Sequence, residues 1–275
     1  MLYQEISSSV IFVDNIYGSN MVCIALGKEL IFVDSGLRTI ITQEFRKAME
    51  KKFKRKGSTL IISHAHIDHF LGMGAFSDCK VIAAESGKER FTKFVNLDYN
   101  EQVVENFAKI FPSFKEAIQE ANLFMPTIWI KDKMILGNNQ LTFQVVSGHS
   151  SCSSAVYLAD EKIMITGDLL QVDAFPYFGE PDTDIQKWIA TLKTWEQMNI
   201  KTFLPGHGRW VDKQYLSNVR KYFEDLVVAL KSLKKEKMTI EDVLKHPSLP
   251  KGYWPKEVIK KPSFDYSITN LYKQI

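Results

Sequence analysis

The chain has little of what marks secreted or membrane-spanning proteins. Its 275 residues include three cysteines, Cys23, Cys79 and Cys152, an odd number that shows no pairing by spacing. The first residues lack the basic start and apolar stretch of a signal peptide. No apolar run reaches the roughly 20 residues that cross a bilayer. We therefore expect a cytoplasmic protein with reduced cysteines and no membrane partner.

The chain also carries little net charge. The formal value of +3 is too small to indicate a nucleic-acid partner by itself. One basic run, at residues 51–56, closes a segment over 39–53 whose apolar residues repeat with helical spacing. Basic residues favour the C-terminal end of a helix dipole, and the run lacks an aromatic platform on which bases could stack. A nucleic-acid partner is therefore not favoured.

Histidine is scarce, and its placement is the most informative feature of the sequence. The apolar run that begins at Leu60 ends in His64, His66, Asp68 and His69. On an extended chain residues two apart point to the same side, so His64, His66 and Asp68 are expected to converge on one point. His69 would face differently. This cluster suits two metal ions better than one, because a tetrahedral ion rarely takes four ligands from so short a segment.

A second ion needs ligands from elsewhere in the chain, and three more candidates follow or end apolar runs. They are His149 in Ser147–Ser150, Asp168 at the end of Ile163–Asp168, and His207 in Leu204–Gly208. A single histidine after a strand is usually a capping or core-edge residue. The complete set instead indicates one metal centre, assembled from several strand ends.

These residues, in this order, resemble the metallo-β-lactamase superfamily over roughly Ile11 to Arg209. Asp34, which ends another strand-like run, matches that family's pattern as a buried supporting residue. The resemblance implies that His64, His66 and His149 hold one ion, that Asp68, His69 and His207 hold the other, and that Asp168 bridges the two. Nitrogen and oxygen donors suit two divalent zinc ions, although iron or manganese would also fit.

The predicted elements agree with the fold that the resemblance implies, a four-layer αββα sandwich of the α/β (α+β) class. Two sets of short strands are separated by a long helical stretch at about 85–125. A helical extension at about 213–275 follows the matched region and ends in an aromatic tail: Tyr253, Trp254, Phe264, Tyr266 and Tyr272. We expect a single domain over 1–275, with the helical stretch inserted over the cleft and the tail docked on the sandwich or at a homodimer contact.

The resemblance implies hydrolysis, in which two adjacent ions share a water and lower its pKa to give a bridging hydroxide near neutrality. Asp68 would be both a ligand and the acceptor of the attacking water's proton. Three positions depart from the patterns of particular family members. Asp168 stands where one large class of β-lactamases carries Cys, which disfavours antibiotic hydrolysis, and His66 stands where flavodiiron oxidoreductases carry Glu, which disfavours redox chemistry. Gln171 stands where homoserine-lactone lactonases place Tyr, so the chain lacks that feature of the lactonases.

Three hypotheses therefore remain for the function. The first is hydrolysis of a small carboxylic ester, thioester or lactone, with Phe175, Tyr177 and Phe178 of the loop after Asp168 as the substrate wall. A phosphodiesterase or ribonuclease of the same fold is the second. The third is a sensor that binds the metals without catalysis.

Overall fold

Twelve strands form two sheets in the structure, a computed structural model that describes residues 2–14, 18–138, 140–172, 174–252 and 262–275. The first sheet contains seven strands in sequence order: β1 (Gln4–Glu5), β2 (Val10–Val13), β3 (Met21–Leu26), β4 (Glu29–Val33), β5 (Thr59–Ile61), β6 (Lys80–Ala84) and β7 (Ile128–Ile130). Strands β1 to β4 pair antiparallel. From β4 to β7 the pairing is parallel, so β4 and β5 end at the same edge of the sheet.

The second sheet has five strands in the order β12-β11-β10-β9-β8. Their bounds are β8 (Lys133–Leu136), β9 (Leu141–Val145), β10 (Ser154–Leu158), β11 (Ile163–Gln171) and β12 (Thr202–His207). Neighbours pair antiparallel except β11 and β12, which are parallel. The carboxyl ends of β11 and β12 therefore lie together, as do those of β4 and β5.

Side chains that alternate along each strand divide the interior into separate cores. In β2, Val10 and Phe12 join a core between the two sheets, whereas Ile11 and Val13 join a core on the outer face of the first sheet. A third core lies between the second sheet and its own helices. Three cores separate four layers, which confirms the predicted αββα sandwich.

Nine α-helices in the described residues complete the layers: α1 (Thr39–Phe53), α2 (Ile67–Phe70), α3 (Lys88–Val95), α4 (Glu101–Ala108), α5 (Phe114–Glu120), α6 (Ile185–Gln197), α7 (Lys213–Lys235), α8 (Ile240–Lys245) and α9 (Pro262–Gln274). Helix α1 has the predicted bounds. Its buried Thr42, Phe45 and Met49 repeat at helical spacing, and the left-handed backbone of Lys54 (φ 51°) ends it. None of the described helices is both long and apolar enough to cross a membrane.

The predicted helical stretch at 85–125 contains α3, α4 and α5. These helices connect β6 to its parallel neighbour β7, as a parallel pair requires. Phe91 and Phe114 are buried in the core outside the first sheet, so the stretch supplies part of that helical layer. Arg90 of α3 reaches a metal-ligand candidate, since its Nη1 lies 3.3 Å from His66 Nε2. That the whole stretch lies over the cleft stays a prediction.

The C-terminal extension packs on the second sheet's side of the sandwich. Phe264, Ile268 and Leu271 of α9 are buried in the same core as helices α6 and α7, and the ring of Phe264 lies 4.7 Å from that of Phe175. Docking of the tail is thus confirmed for α9. Tyr253 and Trp254 lie outside the described residues.

Candidate metal centre

Seven predicted ligands meet at the edge where β5, β11 and β12 end. His64 and His66 follow β5, Asp68 and His69 lie on α2, and His149 follows β9. Asp168 lies within β11 and His207 ends β12. Their ligand atoms form two groups, each within 4.8 Å: His64, His66, His149 and Asp168, and Asp68, His69 and His207. We call His64, His66 and His149 the first half of the centre, and Asp68, His69 and His207 the second half.

The expectation that His64, His66 and Asp68 converge by strand alternation is wrong for Asp68. The extended backbone ends at His66, which caps α2, so Asp68 and His69 project from a helical turn. The turn carries both side chains to the second half. The local cluster therefore serves two sites because its backbone changes from extended to helical within it.

The first half has short distances between ring nitrogens. Nδ1 of His66 lies 2.9 Å from Nε2 of His64 and 3.1 Å from Nε2 of His149. Oδ2 of Asp168 lies 3.9 Å from Nε2 of His64 and 3.7 Å from Nε2 of His149. Three imidazoles and one carboxylate oxygen thus surround a common point.

The second half uses the other oxygen of the same carboxylate. Oδ1 of Asp168 lies 3.1 Å from Nε2 of His69 and 3.4 Å from Nε2 of His207. Oδ2 of Asp68 lies 3.3 Å from Nε2 of His207 and 3.9 Å from Nε2 of His69. Asp168 therefore offers one oxygen to each half, as the predicted bridging role requires.

Two orphaned polar atoms test whether a metal fits this arrangement. In the described part of the chain, His69 Nε2 and Asp168 Oδ1 are buried without a hydrogen-bond partner, although they are only 3.1 Å apart. Buried polar atoms are rarely left unsatisfied, because desolvation without a partner costs about 1–3 kcal/mol. Both are ligand atoms of the kind that divalent zinc, iron or manganese binds. The residues present therefore fit a bound ion.

The electrostatics of the first half favour neutral imidazoles. Burial, together with neighbouring histidines, holds the pKa of His64 well below its usual range. Burial likewise lowers the pKa of His149 to about 4, with His66 adding to the effect. A neutral imidazole is the form that binds a metal, so these two ligands are ready to bind at neutral pH.

The second half favours protonated imidazoles in the metal-free protein. Burial alone would lower the pKa of His69, but Asp168, Asp34 and Asp68 outweigh burial and raise it well above its usual range. For His207, Asp168 and Asp68 similarly outweigh burial and raise the pKa to about 10. The pKa of Asp168 lies well below its usual range, because His207 and His69 outweigh its burial.

Asp34, predicted as a supporting residue, holds His69 from behind. Its Oδ2 lies 2.8 Å from His69 Nδ1, and its Oδ1 accepts from the backbone N–H of Ser63 at 2.7 Å. The Ser63 hydroxyl donates to Oδ2 at 2.7 Å. The contact between Asp34 and Nδ1 of His69 leaves Nε2 of that ring facing the cluster, because a histidine fixed through one nitrogen presents the other.

Further contacts fix the remaining ligands. His149 Nδ1 lies 3.0 Å from the carbonyl oxygen of Tyr177. Asn20 donates to the carbonyl oxygens of Pro205 (2.9 Å) and Gly208 (2.7 Å), on either side of His207. The amide of Gln171 donates to Asp168 Oδ2 at 2.7 Å.

Strand β11 extends past Asp168, the predicted end of its apolar run, because Gly167 (φ 50°) carries the chain through an irregularity in its pairing with β12. Asp168 therefore lies within a strand and does not end it. Opposite, Gly206 lacks room for a side chain, since a Cβ atom there would lie 2.0 Å from Asp168 Oδ1. The close approach of β12 to Asp168 thus depends on a glycine.

The predicted substrate wall is wrong for two of its three residues. Phe178 is fully buried against Trp188 and Phe223, and Phe175 packs in the same core. Their rings turn away from the loop surface because α7 and α9 cover them. Only Tyr177 remains beside the centre, with its ring 6.4 Å from His66 and 6.2 Å from His149.

Helix α9 adds a residue that the sequence did not single out for the site. The ring of Tyr266 stacks on that of Tyr177 at 6.3 Å and 15°, and Tyr266 remains 57% exposed. The helix is fixed to the loop by Ser267, whose hydroxyl accepts from the N–H of Phe178, and by Asn270, which donates to two loop carbonyl oxygens. The C-terminal extension therefore borders the first half.

Our predictions from the sequence did not include three charged residues around His66. Glu180 Oε1 lies 3.0 Å from His66 Nε2, and Arg90 Nη2 lies 3.0 Å from both Glu180 Oε2 and Asp182 Oδ1. Glu180 and Asp182 lie in an irregular loop and Arg90 lies on α3, about 90 residues away. Only the fold brings them together, although acidic residues shortly after a metal ligand were a usable indication.

Comparisons of the sequence with a family model and with known proteins both find metallo-β-lactamases or proteins like them. The sequence model of the Metallo-beta-lactamase superfamily matches residues 15–207. A metallo-beta-lactamase type 2 of Bacillus sp. (strain 170) is 26% identical over 202 residues, which cover 72% of this chain and 70% of that protein. The Beta-lactamase-like protein 2 homolog of Caenorhabditis elegans is 22% identical over 235 residues, covering 82% and 69% respectively.

Solved structures share the fold. A metallo-beta-lactamase from Pontibacter korlensis superposes with a TM-score of 0.60 at 20% identity, over 82% of this chain and 99% of that one. The stereoselective inverting sec-alkylsulfatase Pisa1 from Pseudomonas sp. gives 0.73 at 16% identity, over 99% of this chain and 50% of that one. The second match therefore includes the C-terminal extension.

Proposed function

The chain is a hydrolase that belongs to the metallo-β-lactamase superfamily, and from this premise we propose that it cleaves a small carboxylic ester, thioester or lactone with two divalent metal ions, most simply zinc. The observation that carries the proposal is the Asp168 carboxylate, which directs one oxygen to each half of the centre. Because its relatives in this superfamily are metallohydrolases, the chain is an enzyme, and the hypothesis of a non-catalytic sensor is not retained.

Two ions held by these residues would polarise the substrate oxygen and lower the pKa of water enough to give a nucleophile near neutrality. The protein's own part is to fix its ligands and to accept a proton. We assign proton acceptance to Asp68, whose carboxylate is buried beside His69 and His207. Although burial opposes ionisation, these histidines lower the pKa of Asp68, so it is an anion at neutral pH.

The surroundings of the first half support a small, uncharged acyl substrate. Tyr177 and Tyr266 present aromatic surface beside His66 and His149. Outside the metal ligands, the carboxylate of Glu180 lies 3.0 Å from His66, and Arg90 pairs with both Glu180 and Asp182. Because carboxylates repel a polyanion, this environment disfavours a phosphodiester or RNA substrate, which we keep as an alternative.

A second candidate is hydrolysis of a sulfate ester. The sec-alkylsulfatase covers nearly all of this chain, including α7, α8 and α9, at a higher TM-score than the metallo-beta-lactamase of Pontibacter korlensis. At 16% identity the match supports the shared fold alone. A secondary alkyl sulfate therefore belongs among the substrates to be tested.

The test is metal content by elemental analysis of protein purified without chelator, with substrates assayed on the same sample. The panel contains an aryl ester, a thioester, a lactone, a β-lactam, a bis-aryl phosphate and a secondary alkyl sulfate. About two ions per chain with acyl cleavage supports the proposal. Cleavage of the phosphate or the sulfate alone would replace it with that alternative. Less than one ion, not restored by added zinc, iron or manganese, would refute the two-ion centre.

Two further inferences concern the protein's surroundings. The three cysteines are free in the described structure, and a cytoplasmic location stays a proposal. A homodimer stays a proposal, and light scattering of the purified chain tests it.

A further inference from the structure

His66 differs from its two partners in the first half by the nitrogen that it presents. His64 and His149 direct Nε2 to the cluster, whereas His66 directs Nδ1. The outer nitrogen of His66, Nε2, lies 3.0 Å from Glu180 Oε1. An imidazole that binds an ion through one nitrogen carries its proton on the other. The group that faces Nε2 therefore decides whether Nδ1 is available.

Two groups compete for Nε2. Glu180 can only accept a hydrogen bond, whereas Arg90, whose Nη1 lies 3.3 Å away, can only donate one. If Nε2 accepted from Arg90, the proton of a neutral His66 would lie on Nδ1. It would then point into the first half, 2.9 Å and 3.1 Å from two other ring nitrogens. The shorter contact with Glu180 leaves Nδ1 free.

Glu180 itself is held on several sides. Arg90 Nη2 lies 3.0 Å from its Oε2 and 3.0 Å from Asp182 Oδ1, and Asp182 Oδ2 accepts from the backbone N–H of Ser151 at 2.9 Å. The carbonyl oxygen of Glu180 accepts from Asn270 of α9 at 2.9 Å. Arg90 thus occupies its guanidinium mainly with carboxylates. The connection between β6 and β7, the loop after β11 and the C-terminal helix all meet at this one residue.

We propose that Glu180 is a positioning residue that holds the proton of His66 on Nε2, so that Nδ1 binds the first-half ion, and that Arg90 anchors Glu180 for this task. The inference rests on the metal centre of the proposed function and is independent of the substrate. It makes metal affinity in the first half depend on the loop and on α9. The second half relies on Asp34 in the same way through His69.

The test is zinc affinity, measured by competition with a chromophoric chelator, for the parent, Glu180→Gln and Glu180→Ala. We expect Glu180→Ala to weaken binding of one of the two ions by roughly 10- to 100-fold, the usual cost of removing such a contact. The amide of Glu180→Gln can still accept a hydrogen bond from Nε2, so this variant should lose less zinc affinity. The zinc affinity of Arg90→Met should lie between those of Glu180→Gln and the parent.

The matched control is Glu196→Ala. Glu196 is a similarly shielded carboxylate that pairs with Arg220 at 2.8 Å, between helices α6 and α7. A loss of general stability alone would affect both alanine variants equally. Parent-like zinc affinity in Glu180→Ala, or equal losses in Glu180→Ala and Glu196→Ala, would overturn the proposal.

A second measurement needs no variant and so holds if Glu180→Ala does not fold. In the metal-free parent, where no ion imposes the tautomer, ¹⁵N-¹H correlation spectra of the histidine rings should show His66 protonated at Nε2 and His149 protonated at Nδ1. His66 protonated at Nδ1 would overturn the proposal. Failure of the acyl-hydrolase proposal would look different, as normal zinc affinity and the expected tautomers without turnover of the ester, thioester or lactone.

Discussion

The two halves of the metal centre use similar ligands in opposite electrostatic surroundings. The first half is built of three imidazoles, and burial lowers the pKa of His64 and His149. The second half sets its two imidazoles among carboxylates, which raise the pKa of His69 and His207. In the metal-free protein, the ring nitrogens of the first half therefore have no cation to bind, whereas protons on the imidazoles of the second half already neutralise its carboxylates. An ion enters the second half only by displacing those protons.

Asp168 is the one ligand common to both halves, so its loss should have the largest effect. We expect Asp168→Ala to lower metal content below two ions per chain and to reduce turnover by at least about 10³-fold, or about 4 kcal/mol. His207→Ala should also abolish turnover but empty mainly the second half. Elemental analysis and initial rates check both, with circular dichroism as the folding control. Full activity in either variant would contradict the two-ion centre.

Proton release on metal binding should distinguish the halves most clearly. At pH 7 in the metal-free protein, His69 and His207 carry protons because their pKa values are raised, to about 10 for His207. His149, with a pKa of about 4, does not. Second-half affinity should therefore rise with pH, by up to about 100-fold per unit for two displaced protons. The contribution of His149 to first-half binding should stay level above about pH 5.

Isothermal titration calorimetry of metal-free protein in buffers of different ionisation enthalpy counts these protons. The expected result is up to two protons released with the second-half ion, and fewer in His207→Ala. Equal release from both halves would contradict the assigned contrast.

Crowding Asp168 from behind should weaken both halves together. In Gly206→Ala the added Cβ would lie 2.0 Å from Asp168 Oδ1, so the carboxylate or β12 must shift. We expect a loss of about 1–3 kcal/mol in the free energy of unfolding, together with lowered zinc affinity. Denaturant unfolding and chelator competition measure the two effects. Gly27→Ala serves as control, because its Cβ would meet nothing within 4 Å. That control should lose stability through its positive φ alone and retain zinc affinity.

The smallest effect concerns the substrate side of the first half. Removing the exposed ring in Tyr266→Ala should raise KM for an aryl ester by about 2- to 10-fold, the value of one aromatic contact, with little change in kcat. Tyr266→Phe should behave as the parent does. An unchanged KM in Tyr266→Ala would mean that substrate does not contact this ring.

The sequence predicts those parts of the structure that nearby residues determine. Helix α1 is predictable to its end residues, because its apolar spacing and its termination lie within one segment. The ligand candidates stand out because histidine is scarce and follows apolar runs. Strand β11 is harder, since an irregularity at Gly167 and a buried Asp168 interrupt its apolar pattern without ending the strand.

Long-range packing sets the limit of such predictions. Phe175 and Phe178 look like a substrate wall until α7 and α9 cover them. Glu180 and Arg90 belong to no periodic pattern and meet only when β6, β7 and β11 are in place. Local sequence thus identifies the residues that could bind metal. The residues that orient them depend on contacts between distant segments.

The central claim is that each half binds its own ion with Asp168 between them. Anomalous X-ray diffraction from crystals of the zinc-loaded protein, collected on both sides of the zinc absorption edge, tests it most directly. We expect two peaks, one at His64, His66 and His149 and one at Asp68, His69 and His207, with Asp168 in contact with both. A single peak in zinc-saturated crystals, or peaks away from these side chains, would contradict the account.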